Sequence, residues 1–192
     1  GKVTYFNREV EFRDPKQAIL AGFGLLPEDR KGQGLILGQS IRVNTTLSCL
    51  SKVKNRLGVI NHQYEKEYVA GLLAKIATKY GSMEDNADSL SGGNQQKVSL
   101  AKWLAADCRC IVLDEPTRGV DVGAKTEIYE IMNRLAEQGI GIIMISSEVT
   151  EIIGMCDRAI IMRQGTIAGE LEKSELSEDN LIQYAMGVKN HD

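Results

Sequence analysis

The second half of the chain alternates short, wholly apolar runs with amphipathic stretches, and this pattern leaves few folds open. Cys110–Leu113, Ile140–Ile145 and Ala159–Met162 carry apolar side chains on both faces of an extended chain, and Thr166–Gly169 adds a fourth, less apolar run. None approaches the length of a membrane span. A helical pattern over Asn94–Ala106 precedes them, and others lie between them over Ala124–Glu137 and Val149–Gly154. Strands buried on both faces and separated by helices predict a parallel sheet covered by helices, an α/β fold. Ser177 is placed to cap a last helix over Glu178–Met186.

The first half is less regular. Lys2–Phe6 and Val10–Phe12 predict a hairpin around Asn7–Glu9, and Pro15 opens a short helix that stops at Gly22. Phe23–Leu26 is a short apolar strand. Pro27–Gly38 is rich in glycine and charge and predicts a loop. Between His62 and Tyr80, Val69, Leu72, Leu73, Ile76 and Tyr80 fall at helical spacing, with Glu65, Glu67, Lys75 and Lys79 on the remaining positions.

With 192 residues, 43% of them hydrophobic, the chain can bury one sizeable core but not two comfortable ones. A net charge of −3 gives no bulk attraction to nucleic acid. The chain starts at Gly1 without a methionine and passes straight into a strand-like run, which reads as a cut end. Cys108-Arg-Cys110 has no second pair or nearby histidine to complete a metal site, so the four cysteines read as reduced thiols. Asn44-Thr-Thr46 fits a glycosylation acceptor only in a secreted protein, and no secretory signal is visible. His62 and His191 stand alone on polar segments. Trp103 reads as a packing residue, and Arg13, Arg30, Lys31 and Arg42 read as scattered, solvated charges.

Two segments carry chemistry. In Cys110-Ile-Val-Leu-Asp-Glu115-Pro116 an apolar strand ends in two adjacent carboxylates, at the end of a parallel strand where ligands bind. Two acids there repel unless a cation or proton is present. Either the pair is an acidic surface turn, or Asp114 holds a Mg2+ brought in with ATP, through water, while Glu115 polarises an attacking water. In Leu90-Ser-Gly-Gly-Asn-Gln-Gln-Lys-Val98 two glycines permit close approach to the backbone. Ser91 falls where a helix begins, so its hydroxyl and the amides of Gly92 and Gly93 form an anion site at the positive helix end. A plain Ser-Gly-Gly turn is the alternative, and the helix and acidic strand that follow weigh against it.

These segments resemble ABC ATPases. Leu90–Asn94 is similar to the signature motif, with Asn94 where glutamine is usual; Cys110–Glu115 is similar to the Walker B strand, and Gly119-Val-Asp121 to the D-loop. The resemblance narrows to the monosaccharide-import branch (ribose, galactose and xylose type). It rests there on Pro27-Glu-Asp-Arg-Lys31, Leu90–Lys97, Asp114–Lys125 and Ile145-Ser-Ser-Glu148, and it spans nearly the whole chain.

That resemblance implies a P-loop NTPase-type sheet with a small helical subdomain over about 44–92. It also implies two cassettes in one polypeptide, of which this is similar to the second. The cofactors implied are ATP and Mg2+. The catalytic residues are then Glu115 and Asp121, the metal ligand is Asp114, and the nucleotide-contacting residues are Ser91, Gly92, Gly93, Asn94, Glu28 and Ser147. The implied partners are the first cassette, transmembrane permease subunits and, indirectly, a periplasmic sugar-binding protein, at the cytoplasmic face of the inner membrane.

The departures from the pattern matter equally. No Gly-x-x-x-x-Gly-Lys-[Ser/Thr] run occurs in the sequence, so the phosphate-loop strand and loop are expected to be missing, leaving a gap between the strands Ile140–Ile145 and Ala159–Met162. Glu28 stands where glutamine is usual and Ser147 where histidine is usual, and serine offers no protonatable ring to a γ-phosphate. Two readings follow: the motor cassette of a sugar importer, or a non-hydrolytic half that lends its signature motif and docks to membrane subunits. A DNA-repair or translation ABC ATPase would need basic surfaces or long insertions that are not seen. The segment from Glu28 to about Ser51, which mixes glycine and charge with the isolated apolar residues Leu35, Ile36 and Leu37, is expected to face the membrane subunits, with Leu35 and Ile41 as positions from which to reach them.

Overall fold

The computed structural model describes Lys2–Val188; His191 lies outside the described residues. The chain divides into two compact units, Gly1–Ile143 and Met144–Asp192.

The first unit opens with the hairpin β1 (Val3–Tyr5) and β2 (Arg8–Val10), joined by Phe6-Asn7. Both linking residues have positive φ, 46° and 59°, as a two-residue type I′ turn requires. The turn thus falls earlier than the expected Asn7–Glu9, because asparagine accepts the left-handed conformation and a two-residue turn follows the strand twist. Asp14 then caps α1 (Pro15–Leu20), which ends before Gly22 at φ +95°. Strand β3 (Phe23–Leu26) pairs in parallel with β4 (Cys110–Asp114), and β5 (Gly141–Ile145) flanks β4 on its other side.

The segment expected to be a loop after β3 contains a π-helical turn, Arg30–Gly34, capped by the Asp29 side chain. Its far end is fixed by Lys102, buried in the long helix α5 (Gly92–Ala105), whose Nζ donates to Gly34 O at 2.7 Å. Burial pushes that ammonium below its ordinary pKa. The neighbouring Trp103 packs its ring against Gly24 of β3, where an added Cβ would lie 3.0 Å from it. The indole is therefore a packing group, as read from the sequence.

Helices α2 (Ile41–Thr46), α3 (Leu50–Val53) and α4 (His62–Lys75) surround the remainder of α5. Helix α4 stops short of Tyr80, and Ala77 at φ +49° turns the chain away. Arg42, expected in solvent, is tucked between α2 and α4. It bonds Glu65, which is 1% exposed, and reaches Glu84 at 3.0 Å, while Thr46 Oγ1 donates to Glu65 at 2.7 Å. A buried carboxylate needs such partners, and an arginine fork can serve two at once. Leu35 and Ile41 also belong to the core, at 6% and 0% exposure, so neither can present its side chain to a partner. Ile36, at 49%, points outward.

Helix α6 (Val122–Glu137), capped by Asp121, packs against α5. The two helices share an ion pair that is buried on the lysine side only: Lys97, 1% exposed, donates to the half-exposed Glu127 at 2.6 Å and to Ala77 O at 2.8 Å. The cysteines Cys49 and Cys108 are buried, and burial pushes both thiols up to about 11, far from thiolate reactivity.

The second unit holds α7 (Val149–Met155), the antiparallel pair β6 (Arg158–Arg163) and β7 (Thr166–Glu172), and α8 (Glu178–Met186) capped by Ser177. Ala159, Ile161, Leu171 and Leu181 form its core. Among the described residues β5 and β6 belong to different sheets and do not pair with each other. Ile143 and Ile145 of β5 and Ile160 and Met162 of β6 stay at least half exposed, so each strand carries apolar side chains without full cover. No helix of the described residues is long and apolar enough to cross a membrane.

Candidate functional site

The start of α5 gathers hydrogen-bond donors that its own helix does not use. The first helical hydrogen bond runs from Gln95 N to Ser91 O at 2.9 Å, so the amides of Gly92, Gly93 and Asn94 precede the ladder and lack intrahelical acceptors. Ser91 sits at the N-cap with φ −60° and ψ 158°, yet its hydroxyl does not cap its own helix. Asn94 explains why. Its Oδ1 accepts from Lys79 N at 2.8 Å, and a backbone N–H can only donate, so the amide orientation is fixed. Its Nδ2 then donates to Ser91 Oγ at 2.9 Å. With that lone pair engaged, the exposed Ser91 O–H is free to donate to an anion.

Both glycines are demanded by their neighbours. A Cβ on Gly92 would lie 2.8 Å from Arg30 Nη2 and 3.1 Å from Gly119 O, and one on Gly93 would lie 2.5 Å from Ala124 Cβ. Gly93 therefore lets the starts of α5 and α6 touch. Gly93→Ala is expected to destabilise the protein by about 1–3 kcal/mol through overpacking. Equilibrium urea unfolding measures this, and an unchanged midpoint would mean that the two helices part without cost.

Asp114 ends β4 half-buried, and Glu115 follows at φ +46°, a conformation non-glycine residues hold only when their surroundings impose it. The turn beyond is anchored to α5, because Gln96 Nε2 donates to Pro116 O at 2.7 Å in a buried bond. Among the described residues no cluster of three or more His, Cys, Asp or Glu side chains is arranged to hold a metal. One strand-end aspartate suits Mg2+ that keeps most of its waters and shares phosphate oxygens. Asp121, exposed, accepts from Ala124 N at 2.9 Å as the cap of α6. Glu28 is ion-paired with Arg118. Ser147 is exposed in the segment between β5 and α7, in the second unit, where Ser146 Oγ donates to Glu151 at 2.6 Å.

Sequence reasoning missed Arg30, which is not a solvated charge. Its Nη1 donates to Arg118 O at 2.9 Å, Nη2 to Gly119 O at 3.2 Å and Nε to Gln95 Oε1 at 3.4 Å. Gly92, Gln95 and the turn Arg118–Gly119 are thereby gathered around one guanidinium. The signal available in sequence was only the run Glu-Asp-Arg-Lys, whose third residue has no helical or strand period to reveal its partner.

A parallel sheet with acids at a strand end and an anion cradle at a helix start is the arrangement of a nucleotide-binding α/β protein. The ABC transporter family model matches residues 1–118, and the chain belongs to that family. Its relatives include the ribose import ATP-binding proteins RbsA of Hahella chejuensis (strain KCTC 2396), 49% identical over 186 residues, and of Bacillus subtilis (strain 168), 44% identical over 187. Each alignment covers 97% of this chain but only 37% and 38% of those proteins. Two solved cassettes share the fold. A dimeric post-hydrolysis state of the ATP-binding cassette MJ0796 bound to ADP and Pi has TM-score 0.75 at 19% identity, over 90% of this chain and 73% of that one. A nucleotide-free ATP-binding cassette from an ABC transporter has TM-score 0.75 at 20% identity, over 96% and 76%.

Proposed function

We propose that this chain is part of an ATP-hydrolysing motor subunit that drives import of a monosaccharide across the bacterial inner membrane from its cytoplasmic face. The observation that carries the reading is the cradle at α5, where Asn94 holds the Ser91 hydroxyl free to donate beside two unpaired glycine amides. The relatives' names as ribose import ATP-binding proteins support the direction and the cargo class.

In this reading Ser91, Gly92, Gly93 and Asn94 meet the γ-phosphate of ATP held by a second cassette of the same subunit, donating as charge shifts toward the leaving group. Asp114 would hold Mg2+ at the nucleotide of its own site, and Glu115 would orient the attacking water. When bound, Mg2+ neutralises charge on the phosphate oxygens. Asp121, at the cap of α6, acts with Glu115 as a catalytic residue, Glu28 contacts the nucleotide, and Ser147 stands in the sequence where a nucleotide-contacting histidine is usual. The segment from Glu28 to about Ser51, with Ile36 as an exposed apolar residue, faces transmembrane permease subunits, which receive sugar from a periplasmic binding protein. The half-exposed apolar residues of β5 and β6 are covered by other parts of the full subunit. The 192 residues alone turn over no ATP, because backbone amides and lysine of a phosphate loop supply most of the triphosphate grip.

The test is ATP-dependent uptake of labelled ribose, galactose and xylose by proteoliposomes holding the full-length subunit, its permease and binding protein. Uptake of one sugar, with ATP turnover stimulated in parallel, is expected. ATP turnover without uptake of any of the three would reject the sugar-import reading.

A further inference from the structure

Arg30 is half-buried at the start of the π-helical turn, 65 residues before Gln95 and 88 and 89 before Arg118 and Gly119. All three guanidinium nitrogens are used, two of them on consecutive backbone carbonyls, which matches the planar fork of arginine and not the point charge of lysine. Gln95 cannot turn away, because its Nε2 donates to Ala87 O and Leu90 O, each at 3.2 Å, and this leaves Oε1 facing Arg30. The backbone behind the guanidinium is clamped too: Leu35 N donates to Arg30 O at 2.9 Å, and Lys102 holds Gly34 on the same helix. The guanidinium also lies against Gly92, leaving no room there for a Cβ. A cation near the positive end of a helix is disfavoured by the helix dipole, and the Arg118 and Gly119 carbonyls offset that cost.

We infer that Arg30 is a positioning residue that locks the turn Arg118–Gly119 to the start of α5, so that the signature cradle and the turn leading to Asp121 move as one body. The inference rests on the proposed function for its effect on turnover, and on the geometry alone for the locking. Arg30 touches no reacting atom. It keeps Ser91 and the glycine amides at a fixed offset from the neighbouring turn.

The experiment compares Arg30→Lys and Arg30→Ala with the wild-type full-length subunit, assembled with its permease. In both variants kcat for ATP is expected to fall roughly 10- to 100-fold, the size of effect that a small misplacement of a catalytic group produces. KM for ATP should stay within about twofold, since uniform binding is untouched. Amide hydrogen exchange is the second readout. The Arg118 and Val120 amides, bonded to Glu115 O and Thr117 O, and the Gln95 amide, bonded to Ser91 O, should exchange faster in both variants. Amides within β4 and α6 should not change. Normal turnover in Arg30→Lys would show that only the charge matters and would overturn the inference. A rise in KM at constant kcat would assign Arg30 to nucleotide contact instead. Unaltered exchange at Arg118, Val120 and Gln95 would reject the lock even if the wild-type subunit proved inactive on ATP. Faster exchange throughout, matched by a lower melting temperature, would reduce Arg30 to a general stabilising residue.

Discussion

Changing Ser91 to arginine in the full-length subunit is expected to lower ATP turnover by about 100- to 1000-fold, the usual loss when a preorganised donor to a developing charge is removed. The effect has two sources. The hydroxyl that Asn94 leaves free to donate disappears, and a bulky side chain then fills the cradle in front of the Gly92 and Gly93 amides. Ser91 is exposed and makes no cap bond to its own helix, so the fold should survive the change. Glu115→Gln is the comparison. In the proposed pairing with a second cassette, Ser91 serves the site whose phosphate loop lies on the other cassette, whereas Asp114 and Glu115 serve this cassette's own nucleotide, in a sequence that has Ser147 where histidine is usual and with Glu28 paired with Arg118. Glu115→Gln should therefore cost less total turnover than Ser91→Arg. ATPase rates of the reconstituted transporter decide between outcomes. Equal losses would mean that the two sites act as one unit, and a larger loss from Glu115→Gln would place the productive site on this cassette.

Glu127→Ala is expected to destabilise the protein by about 3 kcal/mol, because it strands the ammonium of Lys97 in the interface of α5 and α6. Lys97 is 1% exposed and would keep only Ala77 O as a partner. The figure sits at the lower end of what breaking a buried pair costs, since Glu127 is itself 42% exposed and water can partly take its place. Lys97→Met should cost much less, because it removes the buried charge while keeping the side chain's bulk. Losses of equal size in the two variants would show that the ion pair, and not the stranded charge, carries the energy. The pair also sets a pH dependence. The hydrogen bond from Lys97, and then its charge, hold the Glu127 carboxyl below its ordinary value. A depressed carboxyl contributes stability above its unfolded pKa of about 4.3, and that contribution is lost as pH falls through the lower folded value. The stability gap between wild type and Glu127→Ala should therefore narrow in urea titrations carried below about pH 4.

The order of elements and most of the candidate site were written in local sequence. The apolar run Cys110–Leu113 read as a strand, and the structure has it there with Ile111 and Leu113 buried and the acids at its end. Ser91-Gly92-Gly93 before an amphipathic pattern fixed a helix start with bare amides. Pro15 and Ser177 marked the starts of α1 and α8 where the structure has them. These features follow from periodicity, capping and glycine chemistry, which act over a few residues.

What only the tertiary structure decided is pairing across long separations. Arg30 and Arg42 looked alike as isolated charges, and each found carbonyls or carboxylates on elements far along the chain. Leu35 and Ile41 lie in a segment whose composition reads as surface, but packing takes both into the core. Lys97 has the sequence context of an exposed lysine until α6 brings Glu127 against it. A sequence states which groups are charged, apolar or backbone-permissive. Whether a charge meets water or a partner depends on which helices pack together, because desolvation is a property of the assembled interior and not of any short stretch of chain.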